Sequence, residues 1–152
     1  MEYKKFIDKD LITTHIKEKK KKKILKEFSR ILGNNLSLST SDIYSQLLER
    51  EDLDSTAVGN GIAIPHCRIQ TDKFTIKLLV VVSKEGINFD SIDKKPVHLF
   101  FVIIAANNSQ ASYFKVLSHL ARALQNQDFY NSIVNAKNID EIYDLLMKTD
   151  EV

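Results

Sequence analysis

The chain has 152 residues, 43% of them hydrophobic and 28% charged, with a formal net charge of +2 and a single cysteine. That size suits one domain spanning 1–152 and hardly allows two; the small charge argues against nucleic acid as a partner, and the lone Cys67 excludes an intrachain disulfide. No apolar run approaches the ~20 residues of a membrane helix, and the charged opening residues contain no apolar signal segment, so a cytoplasmic protein without direct membrane insertion is expected.

Residues 1–17 read as a loosely packed lead-in. The basic excess is concentrated early, with twelve Lys/Arg against seven Asp/Glu in residues 1–50 and a run from Lys19 to Lys23. Five lysines can bind polyanions, but no aromatic or arginine interleaves with them as a nucleic-acid site would require. Ile24, Leu25, Phe28, Ile31 and Leu32 follow at helical spacing. The run therefore reads as the solvated start of an amphipathic helix over 18–32, with Gly33-Asn34-Asn35 as its stop signal. Ser39 to Asp42 offer N-caps for a second helix over 43–50, which buries Ile43, Leu47 and Leu48.

Residues 51–60 are polar and turn-rich, and Gly59-Asn60-Gly61 is the strongest turn signal in the chain. The apolar run 62–64 halts at Pro65, which cannot donate to a ladder; His66 then lies just beyond a strand end. Residues 76–82 and 97–104 are near-continuous apolar runs, as expected of strands covered on both faces, and 86–90 can form a short extra strand between them. Tyr113, Val116, Leu117, Leu120, Ala121 and Leu124 trace one face of a long helix. A short helix over 129–134 and a last one from Asn138 complete the chain. Helices before and after the strands imply an α/β fold, a three-layer α/β/α sandwich with a central mixed sheet.

The segment from Arg50 to His66 is the informative one: its parts suit phosphoryl chemistry on nitrogen, and a purely structural histidine after a Gly-rich turn is the alternative that composition and spacing alone leave open. A glycine-flanked turn lets backbone N–H groups approach a ligand, a short strand and a proline aim one histidine, and Arg50 ends a helix where the chain can fold back beside it. A neutral imidazole is a good nucleophile near pH 7. A neighbouring guanidinium would favour the neutral ring and pair with phosphate oxygens. Phosphoryl transfer asks mainly for positioning and charge stabilisation.

The run STAVGNGIAIPHCRI, preceded by Arg50-Glu51, resembles the phosphorylation-site signature of the type-2 IIA family of bacterial phosphotransferase systems, fructose–mannitol-specific and nitrogen-regulatory. Segments 17–50, 89–104 and 111–147 resemble the family's remaining parts, so nearly the whole chain is covered. The resemblance implies that His66 accepts a phosphoryl group as tele-phosphohistidine and that Arg50 stabilises it. Thr56, Asn60 and Tyr113 are the further candidate binding residues. It implies HPr as phosphoryl donor, a IIB component or a regulatory protein as recipient or partner, and no metal or organic cofactor.

Three positions depart from the family pattern. Tyr113 stands where many members carry a second active-site histidine; it can donate to a phosphoryl oxygen or serve as a core aromatic. His119 falls on another face of that helix and does not substitute for it. Ala57 replaces a common glycine, which would strain the loop if a positive φ were needed there. Cys67 follows His66 where glycine is usual, and is read as a small space-filling residue rather than a reactive thiol.

Overall fold

The computed structural model describes residues 2–107 and 109–148. Two helices, α1 (Lys21–Leu36) and α2 (Thr40–Leu53), precede most of a six-stranded sheet, and α3 (Gln110–Leu124), α4 (Gln127–Val134) and α5 (Ile139–Lys148) follow it. The strands are β1 (Ile12–Thr13), β2 (Ala57–Gly59), β3 (Ile62–Ala63), β4 (His66–Ile69), β5 (Ile76–Ile87) and β6 (Val97–Ala106). The sheet runs β1-β5-β6-β3-β2, with β4 also paired to β6. It is mixed: β5 and β6 are antiparallel, whereas β3 and β4 both run parallel to β6.

Period-two alternation sorts the central strands between two cores. Leu78, Val80, Val82, Leu99, Phe101 and Ile103 face one helical layer with Val116, Leu120, Ile133, Ile142 and Leu146. Leu79, Val81, Phe100, Val102 and Ile104 face the other with Phe28, Leu32, Ile43 and Leu47. This is the expected three-layer α/β/α sandwich, and it accounts for the unbroken apolar runs of β5 and β6.

Several local expectations are corrected. Residues from 2 onward are no loose lead-in: two 3-10 turns, Glu2–Phe6 and Lys9–Leu11, lead into β1, which pairs parallel with β5, and Tyr3, Leu11 and Ile12 are buried. Helix α1 starts later than predicted and runs through Gly33-Asn34-Asn35 to end at Ser37, whose φ of 55° makes the left-handed cap. Gly33 serves close packing instead of termination, because a Cβ there would lie 2.4 Å from Thr40 Oγ1. Helix α2 is longer than predicted at both ends; Ser39 caps it, accepting from the Asp42 N–H at 3.2 Å. The expected strand over 86–90 is instead the distal end of β5, which reaches Ile87.

The histidine is not beyond a strand end either. Strands β3 and β4 share one lane along β6, with Ile62 opposite Leu99 and His66 opposite Ile103. The lane breaks only at Ile64-Pro65, where the Pro65 carbonyl still accepts from the Ile103 N–H at 2.9 Å. Proline removes one donor and divides the strand without ending it. His66 therefore opens β4 on an ordered ladder.

The lysine run is also more structural than a solvated helix start. Lys21 packs its ammonium 4.7 Å from the Phe89 ring centroid and pairs with Glu51 at 2.7 Å and Asp90 at 3.4 Å. Lys19 pairs with Glu85.

Candidate functional site

Alternation along β4 decides what surrounds the histidine. Cys67 and Ile69 point into the core shared with α1 and α2, so His66 and Arg68 project from the opposite face, towards α3. Arg50 arrives from the last turn of α2. The site thus sits at the sheet edge where the two helical layers meet, in a concavity of about 330 Å³ bordered by Arg50, Leu53, His66, Arg68 and Tyr113, with Glu49.

Two hydrogen bonds define the ring. His66 Nδ1 lies 2.9 Å from the Ile64 carbonyl oxygen. A carbonyl can only accept, so Nδ1 carries the proton. Nε2 then holds the lone pair, and it accepts from Arg50 Nε at 3.1 Å. Arg50 is steadied in turn, since its Nη1 donates to the Asp54 carbonyl at 2.8 Å. The half-buried ring titrates below its ordinary value. Desolvation is the largest cause; Arg50 and Arg68 add to it, while the Ile64 carbonyl and Glu51 oppose it. Chemically, this is a neutral imidazole whose one nucleophilic nitrogen faces a guanidinium.

Behind it lies a buried carboxylate. Glu51 accepts from the Thr56 N–H at 2.9 Å, from the Thr56 hydroxyl, and from Lys21. The side chain of Thr56 is turned inward and anchors the loop to α2, which corrects its expected place against a ligand. Asn60 is also removed from the site. It occupies the β2–β3 turn with φ 57°, its N–H donating to Asp93 at 2.8 Å. The neighbouring Gly61 carbonyl accepts from His98 and Leu99, whereas His66 pairs with Ile103. That is about 16 Å further along β6 at ~3.3 Å per residue. Gly61 in this turn has φ 80°, and a Cβ there would lie 2.1 Å from the Tyr130 hydroxyl.

Tyr113 is brought to the histidine. Its ring centroid is 5.6 Å from that of His66, tilted by 44°, and burial raises its phenol pKa against the pull of Arg50 and Arg68. It is both a core aromatic and a residue that lines the concavity. Ala57 lies in β2 with no positive φ, so the feared strain is absent. The Cys67 thiol is buried and pushed up to about 12 by desolvation, consistent with a space-filling role. The residues missed by sequence reasoning are Lys21, whose run looked merely solvated, Glu51 as an anchor, and Arg68, which the two-residue period of a strand continuing past Pro65 would have revealed.

Residues 5–149 match the family model described as phosphoenolpyruvate-dependent sugar phosphotransferase system, EIIA 2. The chain is 30% identical over 126 residues to the nitrogen regulatory protein of Klebsiella oxytoca, covering 83% of this chain and 78% of that protein. It is 28% identical over 152 residues to the fructose-specific EIIABC component of Bacillus subtilis, covering 99% of this chain but spanning only 24% of that longer protein. Among solved structures, the nitrogen regulatory protein IIA-Ntr from Neisseria meningitidis is similar, with a TM-score of 0.86 at 28% identity, covering 94% of this chain and 97% of that one.

Proposed function

This chain belongs to the EIIA 2 family of the phosphoenolpyruvate-dependent sugar phosphotransferase system, and from that premise we propose that it carries a phosphoryl group on Nε2 of His66, taken from a phosphohistidine on an HPr-type carrier in the cytoplasm. The observation that carries the reading is the pair of hydrogen bonds on the ring, with Nδ1–H held by Ile64 and the Nε2 lone pair beside Arg50.

In the transfer, the Nε2 lone pair attacks phosphorus while the donor's P–N bond breaks. The donor imidazole leaves with that bond pair, as a neutral ring keeping the proton on its other nitrogen. The His66 proton stays on Nδ1, so no proton needs to move. Arg50 exchanges its hydrogen bond from Nε2 to a phosphoryl oxygen as the new bond forms, which places positive charge where the oxygens concentrate negative charge. Tyr113 is the neutral donor for a further oxygen. The covalent intermediate divides one long transfer into two short ones. Leu53, 79% exposed, borders the concavity, and Phe114, 57% exposed, lies against the Tyr113 ring; these exposed apolar side chains suit the site to docking a protein donor and recipient.

The decisive experiment incubates the protein with phosphoenolpyruvate, enzyme I and HPr and follows its mass. One added phosphoryl group is expected, acid-labile and alkali-stable, with none on His66→Ala; label retained by that variant overturns the reading. For the onward step, the leading reading is transfer to a IIB component of the fructose–mannitol type. A second reading is favoured by the nitrogen regulatory relatives: the phosphorylation state controls binding to a regulatory protein. Label chased onto a IIB cysteine supports the first, and phosphorylation-dependent capture of a regulator without onward transfer supports the second.

A further inference from the structure

A phosphoryl group on nitrogen brings close to two negative charges and three acceptor oxygens. The one cation assigned to it, Arg50, supplies a single positive charge and is already committed to His66 Nε2 and the Asp54 carbonyl. The His66 ring, still protonated on Nδ1 after the transfer, adds a second positive charge but no donor to those oxygens, so the loaded site is short of hydrogen-bond donors.

Arg68 meets that need. It stands two residues after His66 on β4, hence on the same face of the strand, about 7 Å away along the backbone. Its side chain borders the same 330 Å³ concavity as His66, Arg50 and Tyr113. The residue is exposed, and among the described residues its guanidinium makes no hydrogen bond or ion pair, not even with Glu49, the carboxylate on the same rim. Its charge reaches both rings, opposing protonation of His66 and favouring ionisation of Tyr113. Arg50 must give up a contact to hold phosphate; Arg68 gives up only water.

We propose that Arg68 is a second phosphoryl-oxygen ligand of this site, closing from β4 on the group carried by His66. This rests on the reading of His66 as phosphoacceptor. Two guanidiniums then share the three phosphoryl oxygens, and Tyr113, neutral at working pH, completes the donors. The assignment makes the loaded site independent of a second histidine, because the positive charge such a residue would lend in its protonated form is supplied permanently by an arginine.

The test uses phosphoramidate, a small donor that needs no docking surface, alongside phosphorylated HPr. The chain, Arg68→Gln and Arg68→Lys are compared by 31P NMR, and His66 is titrated by 15N NMR in each. Arg68→Gln is expected to slow labelling by phosphoramidate by at least about tenfold, to move the phosphohistidine 31P resonance, and to raise the His66 midpoint; Arg68→Lys recovers part of the rate. Labelling of Arg68→Gln at the unaltered rate with an unmoved 31P signal overturns the assignment. So does a defect confined to the protein donor, which would make Arg68 a docking residue. No label on the unaltered chain would instead overturn the phosphoacceptor reading itself, and Arg68 with it.

Discussion

As the proposed phosphoacceptor, His66 must be neutral to attack, and its surroundings favour that form. Desolvation, with Arg50 and Arg68 adding to it, lowers its pKa beneath the usual ~6.5 despite the Ile64 carbonyl and Glu51. The sign follows: above pH ~6.5 the ring is already deprotonated and labelling should be flat, and the rate should fall only on acidification through a midpoint below that value. Arg50→Gln removes one lowering influence and should move the midpoint up while also slowing transfer. A pH–rate profile with phosphoramidate, paired with an NMR titration of His66, checks this, and a midpoint above ~6.5 in the unaltered chain contradicts it. At this scale the motif was legible because it is local: Arg50, Glu51, Pro65 and His66 are recognisable as letters. The inward turn of Thr56 was not, because a hydroxyl in a loop sequence carries no mark of whether its partner is a ligand or a buried carboxylate.

The end of α2 is the element on which the site depends. Arg50 and Glu51 are neighbours on the helix but act in different directions, Arg50 outward to His66 and Glu51 inward to Thr56 and Lys21. Removing the carboxylate would strand the buried Thr56 N–H and hydroxyl and the largely covered Lys21 ammonium. Glu51→Ala should therefore destabilise the fold by about 3 kcal/mol, the lower end for a buried pair broken from one side, read as a lowered urea midpoint at unchanged slope. Because the same turn carries Arg50, the variant should also shift the His66 titration. A loss under about 1 kcal/mol would mean that this network does not hold the loop. The extent of α2 was only partly legible: its apolar face marked the middle, while its last turn was polar and looked like loop until Glu51 found its partners.

Across the whole molecule, the sheet is closed on the β5 side by residues 2–13. Leu11 is fully buried in the same core as Phe28 and Leu47, so Leu11→Ala should cost about 3 kcal/mol from lost burial and a residual cavity. A loose lead-in would give a change near zero, and urea unfolding separates the two. No helix among the described residues is long and apolar enough to cross a membrane.

The amino-acid sequence by itself determined the layered class, the two central strands, the helical faces and the histidine with its arginine. Each of these is written in short-range patterns, a period of two or 3.6 or a run of adjacent letters. Only the tertiary structure decided which nitrogen of His66 is free, because that depends on the Ile64 carbonyl and the Arg50 guanidinium meeting the ring from two sides. It alone joined β4 to β6 past Pro65, withdrew Thr56 and Asn60 from the site, bound Lys21 to Glu51, and set Arg68 on the rim beside His66. These are contacts between distant segments, whose partners are fixed by packing and by the need to satisfy buried polar groups, and no local pattern records them.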